Sequence, residues 1–147
     1  MRLTTRTNLA MRALMFCAVN PGLTVRKADI AAACNASLNH LGLVINLLGQ
    51  GGFIDTTRGR HGGVKLARPA SEISIGEVAR MLESDVPFAE CFDKSENECP
   101  LTSCCKLRGT LKRALNAFYA TLDEVTLADL TDSNSGLRTL LSMDTAA

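Results

Sequence analysis

Apolar residues recur at Leu9, Ala10, Ala13, Leu14, Cys17 and Ala18. This is the i, i+3, i+4, i+7, i+8 spacing of a helix with one buried stripe. Asn20-Pro21-Gly22 closes it, since proline and glycine cannot continue the backbone ladder. Thr24 is positioned to cap a second short helix built on Ala28, Ile30, Ala31 and Ala32. Asn35-Ala36-Ser37 breaks that helix, and Ser37 or Asn35 caps a third, which carries Leu38, Leu41, Val44, Ile45 and Leu48 on one side. Two helices joined by so short a break, the second amphipathic, predict a helix-turn-helix.

After Gly51-Gly52 the period changes from helical to strand-like. Phe53 to Thr57 and Val64 to Ala67 read as two strands, joined by the turn Arg58-Gly59-Arg60-His61-Gly62-Gly63. A hairpin placed there is a wing. Ser74 caps a fourth helix through Ile75, Val78, Ala79, Met81 and Leu82. From Ser84 to Ser103 periodicity disappears in an acidic loop. A long helix then runs from Lys106 to Glu124, with Leu107, Leu111, Ala114, Leu115, Phe118 and Leu122 at helical spacing, and a short one covers Leu127 to Leu130. The predicted fold is mainly α with a small β-hairpin, a winged helix-turn-helix plus a long dimerisation helix. It divides into a DNA-binding domain at 1–83, a cysteine-containing loop at 84–105, and a dimerisation helix with a C-terminal tail at 106–147. The long helix is too long for so small a chain to bury internally, which points to a homodimer seam.

Charge sharpens this division. The 147 residues carry a formal net charge of +1. Residues 1–70 hold nine Lys/Arg against Asp29 and Asp55, or +7; residues 71–147 hold seven against thirteen Asp/Glu, or −6. The basic half coincides with the helix-turn-helix and wing, as binding to duplex DNA requires. Ser37, Asn39 and His40 stand where a recognition helix meets base edges. Arg58, Arg60 and His61 form the wing tip, suited to a narrow minor groove. Arg2, Arg6, Arg12 and Lys27 are placed to neutralise phosphates. A dimer of this kind reads a pseudo-palindromic operator. Six aromatic residues and no tryptophan argue against single-strand binding by stacking.

Arg12 confines the first apolar run, Ala13 to Val19, to seven residues with no cleavage site after it. No stretch approaches the roughly 20 apolar residues a membrane span needs. A cytoplasmic protein without a membrane partner is expected. In that compartment disulfides are disfavoured, so Cys17 and Cys34 read as small buried hydrophobes. Cys91, Cys99, Cys104 and Cys105 instead crowd into fifteen residues. Their spacing matches neither a zinc ribbon nor a bacterial ferredoxin run. An iron–sulfur or zinc site, a redox dithiol, and unrelated thiols all remain open on spacing alone. No nucleophile elbow, phosphate loop or zinc-protease motif is present, and the chain reads as a regulator, not an enzyme.

Taken in order, Met1-Arg2-Leu3-Thr4 leading to Met11-Arg12-Ala13-Leu14, the wing Arg58 to Leu66, and the cysteine triplet resemble the iron–sulfur winged-helix transcriptional repressors of IscR, RirA and NsrR type. The resemblance spans essentially the whole chain. Asn39-His40 with Val44-Ile45-Asn46, and Thr126-Leu127-Ala128-Asp129-Leu130, are most similar to the nitric-oxide-sensing NsrR branch. Ala89-Glu90-Cys91-Phe92 and Ala114-Leu115-Asn116-Ala117-Phe118 are equally similar to the RirA branch. The resemblance implies a homodimer whose iron–sulfur cluster, [4Fe-4S] or alternatively [2Fe-2S], is held by Cys91, Cys99 and Cys105. It further implies repression relieved by nitric oxide. An iron- or cluster-status sensor is the alternative, and a cluster carrier that does not bind DNA a more distant one. In NsrR-type proteins a carboxylate in the first helix of the other subunit completes the site; here Asn8 stands there. An amide oxygen is a weak iron ligand, so Asn8 of the partner subunit, Cys104, a nearby carboxylate or an exchangeable small ligand all remain candidates for the fourth position.

Overall fold

Thr4 opens the first helix, its hydroxyl accepting the Thr7 amide, and α1 runs Thr5–Val19 with Leu9, Ala10, Ala13, Leu14 and Cys17 buried along one stripe. The computed structural model describes residues 3–93 and 95–143. α2 (Lys27–Ala33) and α3 (Leu38–Gln50) follow, their axes turning by 113°, within the range of a helix-turn-helix. Ser37 is the cap of α3, accepting the His40 amide at 3.2 Å. Asn35 instead takes the left-handed conformation of the turn, φ 49°. Leu41, Val44, Ile45 and Leu48 of α3 are buried against α1, α2 and the hairpin.

Thr24 is not the cap of α2. That helix begins at Lys27 after Arg26, which makes no side-chain capping bond. The reason is tertiary: Val25 and Val64 exchange both backbone hydrogen bonds at 2.8 Å, so the chain stays extended there and extends the wing by one bridge. The wing itself pairs β1 (Ile54–Thr57) with β2 (Gly63–Leu66) antiparallel, Ile54 opposite Leu66 and Thr57 opposite Gly63. Gly63 lies against this third segment, and a Cβ there would run into the Val25 carbonyl. The wing is therefore tied at its base and free at its tip.

A single 3-10 turn, Ala70–Glu72, leads into α4 (Ile75–Glu83), capped by Ser74. The cysteine loop contains another, Glu90–Phe92. α5 (Lys106–Asp123) has no buried residue. It packs mainly on α4, where Arg80 pairs with Asp123 and lies 4.9 Å from the Tyr119 ring centre. Leu122 reaches the core, Leu115 lines a cleft with Val86, Phe88 and Phe92, and Leu107 is exposed. α6 (Leu127–Thr131) carries a reciprocal capping box between Thr126 and Asp129.

One element is absent from the periodicity reading. Residues 135–141 form α7 (Ser135–Leu141), capped by Asn134. Buried Asn20 holds its end, donating to the Leu141 carbonyl at 2.9 Å and accepting the Met143 amide at 2.8 Å. The residue that stops α1 thus also anchors the C-terminal segment to the helix-turn-helix body. Among the described residues no single helix is long and apolar enough to cross a membrane.

Candidate nucleic-acid interface and cysteine loop

Three structural pieces converge on one side of the molecule. Ser37, Asn39 and His40 are exposed at the N-terminal end of α3, and Lys27 is exposed at the start of α2. Arg58, Arg60 and His61 are exposed at the wing tip. Between wing and helix lies a cleft of about 420 Å³ lined by Arg26, Lys27, Gly42, Asn46, Thr57 and Arg58. A second cleft, of about 450 Å³, separates α1 from the start of α3, lined by Asn8, Arg12, Asn35, Ser37 and His40. The start of α3, the wing and basic side chains therefore line adjoining clefts. Arg2 lies outside the described residues.

Not every basic residue is free for phosphate. Arg6 donates to the Leu82 carbonyl and sits 3.9 Å from Asp85. Arg12 donates to the Cys34 carbonyl at 3.2 Å. Arg68 grips Glu77 with two 2.9 Å bonds and covers the Phe53 ring. These three serve the fold first. Arg26, Lys27, Arg58, Arg60 and Lys65 make no ion pair among the described residues.

The cysteine loop leaves α4 at a point that is tied to the start of α1, where Arg6 also faces Asp85 of the loop. The Glu83 carboxylate, at the end of α4, accepts from the Thr4 amide and hydroxyl, both at 2.9 Å, and from the Thr7 hydroxyl. It thereby serves the Thr4 amide at the start of α1, a favourable place for an anion. Burial alone would raise its pKa, but these hydrogen bonds and nearby Arg6 outweigh burial and hold it below the ordinary glutamate value. Sequence spacing gives no hint of this contact, because its partners lie almost eighty positions away. A depressed folded pKa means that the stabilisation is complete above the ordinary glutamate value and is lost as pH falls through the folded one. Thermal melts should accordingly show Glu83→Gln less stable than wild type near neutrality, with the gap closing in acid. Parallel curves down to pH 3 would show that the carboxylate charge contributes nothing here.

Cys91 lies in the 3-10 turn, Cys99 before the next turn, and Cys105 at the cap position of α5, all half-buried; Cys104 is exposed. None is in a disulfide. Arg108 in the first turn of α5 donates to the Cys91 carbonyl at 3.0 Å, bringing that turn to the helix start. Cys105 makes no capping bond, and with Phe92, Thr102 and Arg108 it lines a cleft of about 390 Å³. Three free, accessible thiols on one loop are the soft donors that an iron–sulfur cluster takes. Among the described residues no three metal-ligating side chains stand preassembled, so the thiols would converge on binding. Asn8 is exposed on α1 and belongs to the cleft beside α3, not to the clefts around the cysteine loop of its own chain. Cys17 and Cys34 are buried in the core, and burial pushes the Cys17 thiol up to about 12, leaving it inert.

Comparison with known proteins agrees with this architecture. A family model described as Rrf2, iron-dependent transcriptional regulator, matches residues 3–133. Protein aau3 of Rhizobium meliloti is 41% identical over 144 residues, covering 98% of this chain and 94% of that protein. The HTH-type transcriptional regulator NsrR of Geobacillus kaustophilus is 44% identical over 142 residues, 96% of this chain and 97% of the relative. Among solved structures, IscR of T. potens superposes with a TM-score of 0.70 over 88% of this chain and 85% of that one; at 24% identity it speaks for the fold.

Proposed function

Since the chain belongs to the Rrf2 family of transcriptional regulators, we propose that it is an iron–sulfur repressor that releases its operator when nitric oxide is present. It is a DNA-binding regulator and not an enzyme. The division of labour we propose is DNA recognition by residues 1–83, sensing by 84–105 and dimerisation by 106–147. Ser37, Asn39 and His40 contact bases, Arg58, Arg60 and His61 enter the minor groove, and Arg2 and Lys27 hold phosphates. Cys91, Cys99 and Cys105 hold the cluster. When bound, the cluster supplies irons at which nitric oxide reacts.

The observation that carries this reading is the route from the thiols to the DNA-binding body. The loop bearing Cys91 and Cys99 leaves α4 at Glu83, and Glu83 is hydrogen-bonded to the start of α1. Cys105 stands at the cap position of α5, a helix without a buried residue and with Leu107 exposed, which suits a second copy of the chain. Three thiolates tied to one group hold loop, α4 and α5 in a single arrangement. Freed from it, they release that arrangement and the relative position of two recognition helices in the dimer. Half-sites lie about one helical turn apart, so a small change of spacing removes much of the binding energy.

The names of the NsrR relatives and the recognition-helix resemblance favour nitric oxide as the signal. The RirA-like segments around Cys91 and Ala114 favour iron status. An operator-binding titration of anaerobically prepared protein separates the two. Loss of affinity at stoichiometric nitric oxide is expected. Unchanged affinity there, with loss on adding an iron chelator, would replace the nitric-oxide reading by the iron reading.

A further inference from the structure

The recognition helix exposes more apolar surface than its fold requires. With Leu41, Val44, Ile45 and Leu48 buried, helical spacing turns Asn39, Gly42, Leu43 and Asn46 outward. No charged side chain lies on that stripe, and Leu43 at its centre is 65% exposed; Leu38 in the first turn is 56% exposed. Beside Leu43, a Cβ built on Gly42 would meet nothing within 4 Å. Internal packing therefore does not demand glycine at a mid-helix position where alanine is the better helix former. What the glycine does is leave the helix backbone bare next to an exposed leucine.

The surroundings say what covers this surface. Arg26, Lys27 and Arg58 line the adjoining cleft with Gly42 and Asn46, so the occupant is a polyanion that also presents an apolar group. In the major groove that group is the 5-methyl of thymine. We propose that Leu43 reads a thymine methyl in each operator half-site, Gly42 allowing the base edge to come close and Leu38 flanking the contact. Specificity at that step then comes from apolar contact, consistent with the absence of arginine or lysine on the stripe. This inference rests on the DNA-binding reading above.

The test begins with an operator selected from a random duplex pool by the full-length protein. Each thymine is then replaced in turn by deoxyuridine, which removes the methyl and nothing else. One position per half-site should weaken wild-type binding by about fourfold, the worth of one buried methyl. Leu43→Ala, which removes a mostly exposed side chain and should melt close to wild type, should be indifferent to the same substitution. If wild type tolerates deoxyuridine everywhere while still binding duplex in a salt-dependent manner, the methyl contact is refuted and the DNA-binding reading stands. If no salt-dependent duplex binding is found, both fall together.

Discussion

Cys105→Ser is expected to abolish cluster retention, while Cys104→Ser leaves it intact, although the two thiols are adjacent. Cys105 is half-buried at the cap of α5, in the cleft with Phe92, Thr102 and Arg108. The Arg108 bond to the Cys91 carbonyl brings a second thiol-bearing turn to the same helix start. Cys104 is exposed, its sulfur resting 3.6 Å from the Leu101 carbonyl. Serine offers a hard oxygen where iron in a cluster takes thiolate. Loss of a direct ligand should exceed the roughly 10–100-fold cost of losing a mere supporting contact. Iron and sulfide content with the visible spectrum of anaerobically purified protein reads this directly. Equal cluster content in both variants would remove Cys105 from the ligand set. Asn8→Ala in the same assay addresses the fourth position, and unchanged spectra would exclude Asn8.

Arg58→Ala combined with Arg60→Ala should weaken operator binding by at least about a hundredfold, since each charge-assisted contact is worth roughly 1.5–3 kcal/mol. The slope of log affinity against log salt should fall by about two, one unit for each lost cation that displaces counterions from the duplex. Stability should not change, because both side chains are exposed and neither makes an ion pair among the described residues. Arg6 and Arg68 provide the contrast. They are tied to Leu82 and Asp85, and to Glu77 and Phe53, so their removal should cost folding stability as well. Filter binding across a salt series, with a melt of each variant, distinguishes these roles. A wing double variant that binds like wild type would show that the wing does not touch DNA.

Local signals carried most of the secondary structure. Ser37 and Ser74 cap the helices their positions predicted, the paired glycines end α3, and the hairpin register follows from alternation and its glycine-rich turn. α2 and α7 show the limit. α2 starts three residues after the expected cap because Val25 is taken by Val64, a partner thirty-nine positions on. α7 is too short for a periodic stripe to stand out, and it is held by Asn20, far away in the chain. The +7 of the basic half was legible, but its division between fold and phosphate was not. Arg6, Arg12 and Arg68 looked like the other arginines until their carbonyl and carboxylate partners were in view.

By itself the amino-acid sequence determined the helix-turn-helix, the wing, the separation of basic and acidic halves, and the crowding of four thiols between Cys91 and Cys105. These depend on spacing and residue type within a few turns of chain, where propensity and capping act. Only the tertiary structure decided which arginines remain free, that Glu83 joins the end of α4, where the cysteine loop departs, to the start of α1, and that Leu43 stands bare beside Gly42. Each of these depends on groups brought together from distant parts of the chain, or on the absence of any such group. Local pattern does not encode either.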